Sequence, residues 1–282
     1  LTASRVTRNS ARYTNLLPGV HLNYGATSAL ILRFSAHRSV ARPSPTDMLP
    51  SRRIDDEART ITEGNPNLRV TEADNLDFSA EYYLKPLGVV SASVFRKRIR
   101  GFYFSTASTV TGGEYDGYRL TRTEMGQGGT VEGLEVDWQQ RLAFLPGALS
   151  GLGLGANATW IDSDGSYPNR PGAALTFRGT ARRTGNLNLS YVRRGLDLRL
   201  FHNFRGDYLS GVGARPTFDV YEKARATLDF SAKYRFSRWT SAYFNAKNLT
   251  DAPKITYQGN PSNPTGVRYY DLSFNFGVTR EF

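Results

Sequence analysis

Polar and apolar residues alternate with a period of two over much of the chain, the spacing of a strand with two unlike faces. Leu76, Phe78, Ala80, Tyr82 and Leu84 fall on one side, and Asn75, Asp77, Ser79, Glu81 and Tyr83 on the other. Ala226, Leu228, Phe230, Ala232 and Tyr234 alternate with Thr227, Asp229, Ser231 and Lys233. Near the end, Tyr270, Leu272, Phe274, Phe276 and Val278 alternate with Asp271, Ser273, Asn275, Gly277 and Thr279. Weaker copies start at Val20, Leu30, Val90, Leu134, Leu152, Leu187, Leu196 and Ala242. The pattern predicts about eleven strands, many as long as the roughly 9 to 11 residues that a tilted strand needs to cross a bilayer. No segment sustains a helical period.

The connections between these strands alternate in length. Short turns are expected near Ala26–Ser28, Lys85–Gly88, Pro146–Gly147, Arg193–Gly195 and Ser237–Arg238. Long ones are expected near 42 to 72, 105 to 128, 162 to 184, 206 to 222 and 249 to 266. Tight turns at one end and long loops at the other are the habit of outer-membrane barrels. Trp138 and Trp239 fall near turn ends and Trp160 near a loop end, where amphipathic rings collect at membrane interfaces. The expected fold is therefore all-β, an antiparallel transmembrane β-barrel.

Composition narrows the function. The aromatic share of 12% is far above that of a solvated tail. With no Cys, the chain has no thiolate metal site, thiol nucleophile or disulfide. The three histidines, His21, His37 and His202, stand in no metal spacing, and neither a nucleophile elbow nor a P-loop occurs. The expectation is no catalytic residue, no metal and no cofactor. The net charge of +11 comes from 36 basic and 25 acidic residues scattered along the chain, so nucleic acid is not an expected partner. Asp55-Asp56-Glu57 and Asp162-Ser163-Asp164 read as solvated acidic loops lacking a full calcium ligand set.

In a barrel, the polar parity of Arg33, Arg199, Asn203, Arg205, Lys233 and Lys247 lines the lumen. Those side chains either meet an anionic ligand or pair with acids such as Glu81, Asp197 and Asp229. Phe274, Phe276 and the terminal Phe282 lie on the apolar parity, where a terminal aromatic resembles the signal read by the barrel-assembly machinery.

Several motifs, in order, resemble the TonB-dependent receptors of Gram-negative outer membranes. They include Leu17-Pro18-Gly19-Val20-His21-Leu22-Asn23-Tyr24, Leu32-Arg33-Phe34-Ser35 with Ala41-Arg42-Pro43-Ser44, and Gly64-Asn65-Pro66-Asn67-Leu68. Further along come Phe95-Arg96-Lys97-Arg98-Ile99, Gly133-Leu134-Glu135, Leu145-Pro146-Gly147, Asn248-Leu249-Thr250-Asp251 and Gly277-Val278-Thr279-Arg280-Glu281-Phe282. The resemblance implies a plugged barrel of 22 strands, of which residues 1 to 282 would be the C-terminal half, without the plug. It implies active uptake of a siderophore, glycan or similar small ligand. The implied partners are outer-membrane lipid, the TonB complex through the plug, and the assembly machinery. The alternative is a complete passive channel or adhesin barrel of about 10 to 12 strands.

Overall fold

The structure, a computed structural model, describes residues 12 to 281. Its backbone is dominated by eleven strands that form one antiparallel wall. They are β1 (Gly19–Gly25), β2 (Leu30–Ala41), β3 (Thr71–Leu84), β4 (Gly88–Thr109), β5 (Arg119–Arg141) and β6 (Leu152–Ser166). β7 (Arg183–Arg193), β8 (Leu196–Arg205), β9 (Arg225–Arg235), β10 (Thr240–Lys247) and β11 (Ser273–Arg280) complete it. Each pairs with the next in sequence, and the path runs open from β1 to β11. Among the described residues helix is confined to Pro45–Met48 and two 3-10 turns.

The register shows why alternation dominates the sequence. Paired residues share a face, so Leu32, Ala80, Ala92, Val136 and Ala158 form one continuous row across β2 to β6. The opposite parity carries Arg33, Ser79, Ser93, Glu135 and Thr159 in a parallel row. The apolar rows face outward and stay open to solvent: Phe78 is 45% exposed and Phe276 78%. Of the six aromatic and leucine positions that best test this, Phe78, Tyr82, Leu272 and Phe274 are exposed, and Leu228 and Phe230 are half-buried. A water-soluble sandwich would have closed such a face against a second sheet. Phe274 and Phe276 lie on it in β11; Phe282 is outside the described residues.

The close-packed, buried part of the molecule sits at the loop end. Ile61, Leu68, Phe104, Tyr167, Leu209 and Tyr257 are buried there. A hairpin of Arg52–Asp55 and Thr60–Glu63 lays its second strand parallel to the start of β5. A separate four-stranded sheet joins Tyr208–Gly211, Val220–Glu222, Lys254–Gln258 and Pro264–Arg268.

Two of the expected loops are built differently. Residues 105 to 128 are largely strand, because β4 and β5 stay paired as far as Thr109 and Arg119, leaving only 110 to 118 as the tip. Apolar alternation fades there because these strands no longer face one apolar solvent, yet the backbone ladder continues. Asp162 and Asp164 likewise belong to β6 and share its outward parity with Trp160, instead of lying in a loop.

Glycine marks the base of the extended hairpin. Gly128 has φ of 139°, and a Cβ there would come within 2.4 Å of the Ile99 carbonyl oxygen. Gly128→Ala is expected to cost of order 1–2 kcal/mol, through a disfavoured backbone conformation and a backbone collision. Hydrogen exchange in the ladder beyond Arg100 should accelerate, while exchange near Val90 should not.

Candidate functional site

The six polar wall residues singled out in the sequence do not converge. Arg33, on β2, donates from Nε and Nη2 to the Glu81 carboxylate at 2.9 and 2.8 Å, and the Tyr83 hydroxyl donates to Glu81 at 3.0 Å. Arg199 folds back along β8 and donates to both oxygens of Asp197 at 2.9 and 3.0 Å. Lys233 stands opposite Asp197 in the register, and Lys247 stands opposite Ser273 at the end of β10. Arg205 leaves the wall to reach Glu222. Arg33 and Arg199 are thus committed to neighbouring carboxylates.

Asn203 belongs to a row that runs Asp137, Asn157, Asn186, Asn203 and Thr227 across β5 to β9. Asn186 donates to Asn157 at 2.8 Å within it. Below this row lies a hollow of about 570 Å³ on the polar face, with Asn203, Gln139, Asn188 and Ser190 on its walls. Its cause is local sequence. Leu152-Gly153-Leu154-Gly155 places leucines outward and glycines inward, so β6 has no side chain there to fill the space. The Asn188 Oδ1 is buried without a hydrogen-bond partner.

The loop end holds a second arrangement, which sequence reasoning did not find. Phe102 meets both Tyr167 and Phe177 edge to face with centroids 4.9 Å apart, and Phe104 meets Tyr167 at 5.6 Å. These rings and Arg178 and Tyr208 line a cavity of about 500 Å³. Burial pushes the Tyr167 hydroxyl up from its ordinary pKa, so it stays neutral. A neighbouring cavity of about 420 Å³ is lined by Arg119, Thr121, Asn169 and Arg178. The Arg178 Nε donates to the Ser210 carbonyl at 2.9 Å. Neither Arg119 nor Arg178 forms an ion pair among the described residues. Two guanidinium groups without carboxylates, one of them (Arg178) beside aromatic faces, suit a planar or anionic guest.

Two buried ionic contacts hold this end together. The Arg170 Nη1 donates to Asp219, which is 1% exposed, at 3.0 and 3.2 Å, and the Gly213 N–H donates to the same carboxylate at 2.9 Å. Glu222 is buried and receives Arg205, Tyr208 and, at 2.6 Å, the Lys254 Nζ. The Arg205 guanidinium also stacks 4.5 Å from the Tyr208 ring centre. Burial opposes the Glu222 charge, but Lys254, Tyr208 and Arg205 outweigh it and hold the carboxyl below its ordinary range. Both contacts join residues far apart in sequence, so no local motif announced them.

Comparison with known proteins fits this geometry. The family described as TonB dependent receptor-like, beta-barrel matches residues 1–249. Among solved structures, the ferric enterobactin receptor of Pseudomonas aeruginosa aligns with a TM-score of 0.65 at 18% identity, over 95% of this chain and 40% of its own. The siderophore receptor PirA of Acinetobacter baumannii gives 0.66 at 15% identity, over 95% and 41%. FpvAI, solved with pyocin S2, gives 0.63 at 15%, over 96% and 34%. The chain therefore spans about two fifths or less of these receptors. No curated protein matches in sequence.

Proposed function

Since the chain belongs to the TonB-dependent receptor β-barrel family, we propose that it forms the C-terminal part of the barrel of an outer-membrane receptor that takes up an anionic small ligand. The observation that carries this reading is the pair of cavities at the loop end that share Arg178, one walled by the aromatic cluster and the other by Arg119, with neither arginine in an ion pair among the described residues. A ferric siderophore fits that chemistry better than a neutral glycan, because each unpaired guanidinium offers two parallel N–H donors to an oxyanion. The solved relatives include receptors for siderophores by name. Uptake would draw energy from TonB through a plug domain, and the outward rows of the wall would meet outer-membrane lipid. The aromatics of β11, with Phe282, would be presented to the assembly machinery.

The test uses the full-length receptor with Arg119→Ala and Arg178→Ala together. A charge-assisted hydrogen bond contributes about 1.5–3 kcal/mol. Each such bond corresponds to roughly a 10- to 100-fold change, so losing the pair is expected to weaken binding of an anionic ferric chelate by at least about 100-fold. Binding of a neutral chelate should change by less than about threefold, since no ionic contact is lost. Calorimetric titration showing equal losses for both ligands would sink the proposal for these arginines. Undiminished uptake in cells lacking TonB would instead return the passive-channel alternative.

A further inference from the structure

The outward face changes character at one level across five adjacent strands. Phe34, Phe78, Val94, Leu134 and Trp160 form the last wholly apolar row. One step toward the loops, the row reads Ala36, Leu76, Arg96, Glu132 and Asp162. The next contains Arg38, Asp74, Arg98, Thr130 and Asp164. On β4 itself, Val90, Ala92 and Val94 are followed on the same parity by Arg96, Arg98 and Arg100. Lys97 falls between them on the opposite face.

The carboxylates nearby are unequally engaged. Asp74 accepts from Arg38 at 2.8 Å and from Arg100 at 2.6 Å. Glu72 accepts from Arg100 at 3.2 and 3.3 Å and from Asn15 at 3.3 Å. Arg38 and Arg100 are thereby held in place. Arg96 is only loosely opposed: Glu132 lies 3.7 Å away and both side chains are more than half exposed. Arg98 is exposed and its side chain has no hydrogen bond or ion pair among the described residues, although its register partner is Asp74. Two exposed guanidinium groups therefore project about 7 Å apart along one strand, directly above an apolar surface. Just beneath them a groove of about 540 Å³ runs over Val94 and Trp160 toward Arg183, with Glu132 and Asp162 on its rim.

We propose that Arg96 and Arg98 bind the headgroup phosphates of a phosphorylated lipid in the leaflet at the loop end, the groove accepting the upper part of an acyl chain. The inference rests on the membrane placement proposed above. A guanidinium at the edge of an apolar phase gains most from a bidentate oxyanion. Along β4 the arginines continue without a gap into the lipid-facing Val94, Ala92 and Val90, so the phosphate is expected to arrive attached to acyl chains. Asp162 and Asp164 lie two strands away on β6, too far along the face to occupy the Arg98 guanidinium.

The experiment compares full-length wild type with R96Q/R98Q, R98Q alone and K97Q, the last removing the same charge from the other face. Membrane fractionation comes first: wild type missing from the outer membrane would overturn both this inference and the reading beneath it. Lipid retained by detergent-purified protein is then counted by native mass spectrometry. Mixed micelles supply a bisphosphorylated glycolipid, its dephosphorylated form, or inorganic phosphate without lipid. R96Q/R98Q is expected to retain at least about fivefold less of the phosphorylated lipid than wild type, with K97Q unchanged and R98Q intermediate. Retention by a membrane-inserted R96Q/R98Q equal to wild type would overturn this inference alone. So would equal binding of the dephosphorylated lipid, or thermal stabilisation by inorganic phosphate equal to that by the lipid. R98Q removes a side chain with no intramolecular partner, so its folding should match wild type and keep the comparison decisive.

Discussion

Replacing Phe78 by Arg in the full-length receptor is expected to destabilise the barrel by about 1–2 kcal/mol, between the cost of about 2–4 kcal/mol for a basic residue at the middle of a lipid-facing β-surface and that of about 0–1 kcal/mol near its interface. Phe78 lies in the last fully apolar outward row, flanked by Phe34 and Val94 on the neighbouring strands. An arginine there would have to hold its charge in hydrocarbon or bend to the interface, losing the packing of the ring. Asp77→Asn, one residue away, supplies the control. Asp77 shares the inward parity with Ser35 and Phe95, and its side chain is on the other side of the wall. That substitution should stay within about 0.5 kcal/mol. Denaturant titration in lipid vesicles, read by heat-modifiable mobility, checks both. Equal effects of the two changes would refute the assignment of faces.

The second large effect is expected at Glu222. Breaking a fully buried ionic cluster costs about 3–5 kcal/mol. Here Arg205 and Lys254 are 45% and 35% exposed, so both can recover water, and solvent also screens their attraction. Glu222→Ala should therefore destabilise the four-stranded sheet by about 2–3 kcal/mol, below the fully buried figure. Hydrogen exchange at Tyr208–Gly211 and Lys254–Gln258 should speed up by roughly 30- to 150-fold, with β9 and β10 unaffected. The same carboxyl sets a pH dependence. Its folded pKa lies below the unfolded value, so its stabilisation is complete above about pH 5 and is lost as pH falls through the folded pKa. Protection of this sheet that is flat from pH 7 to pH 3 would remove Glu222 from that role.

The wall was legible because lipid and lumen impose opposite demands on successive residues. Leu76 through Leu84 and Ala226 through Tyr234 reveal their strands by alternation alone, and the register bears out eleven wall strands. The loop end was not legible. Phe102 and Phe177, or Arg170 and Asp219, are brought together by strands that diverge and return, and nothing in their local spacing records the meeting. The inward residues were visible as a set but not in their commitments. Parity identifies Arg33 as facing inward; only the register shows that Glu81 is close enough to engage it. Arg119 and Arg178 carried no signal, since an arginine in a long connection is ordinary until its neighbours are seen to lack carboxylates.

The extended hairpin of β4 and β5 has a mechanical meaning. Its ladder is continuous from Gly88 and Gln140 through the wall to Thr109 and Arg119, apart from the kinked step at Gly101. Antiparallel rungs respond to force according to direction. A load that parts the two strands at 110 to 118 meets one rung after another and opens the hairpin like a zipper, at small force. A load directed along the strands puts many rungs in shear at once and reaches the wall almost undiminished. A macromolecule gripping both strands near the tip would thus hold a stiff handle on the barrel when pulled axially, and a yielding one when it twists the strands apart.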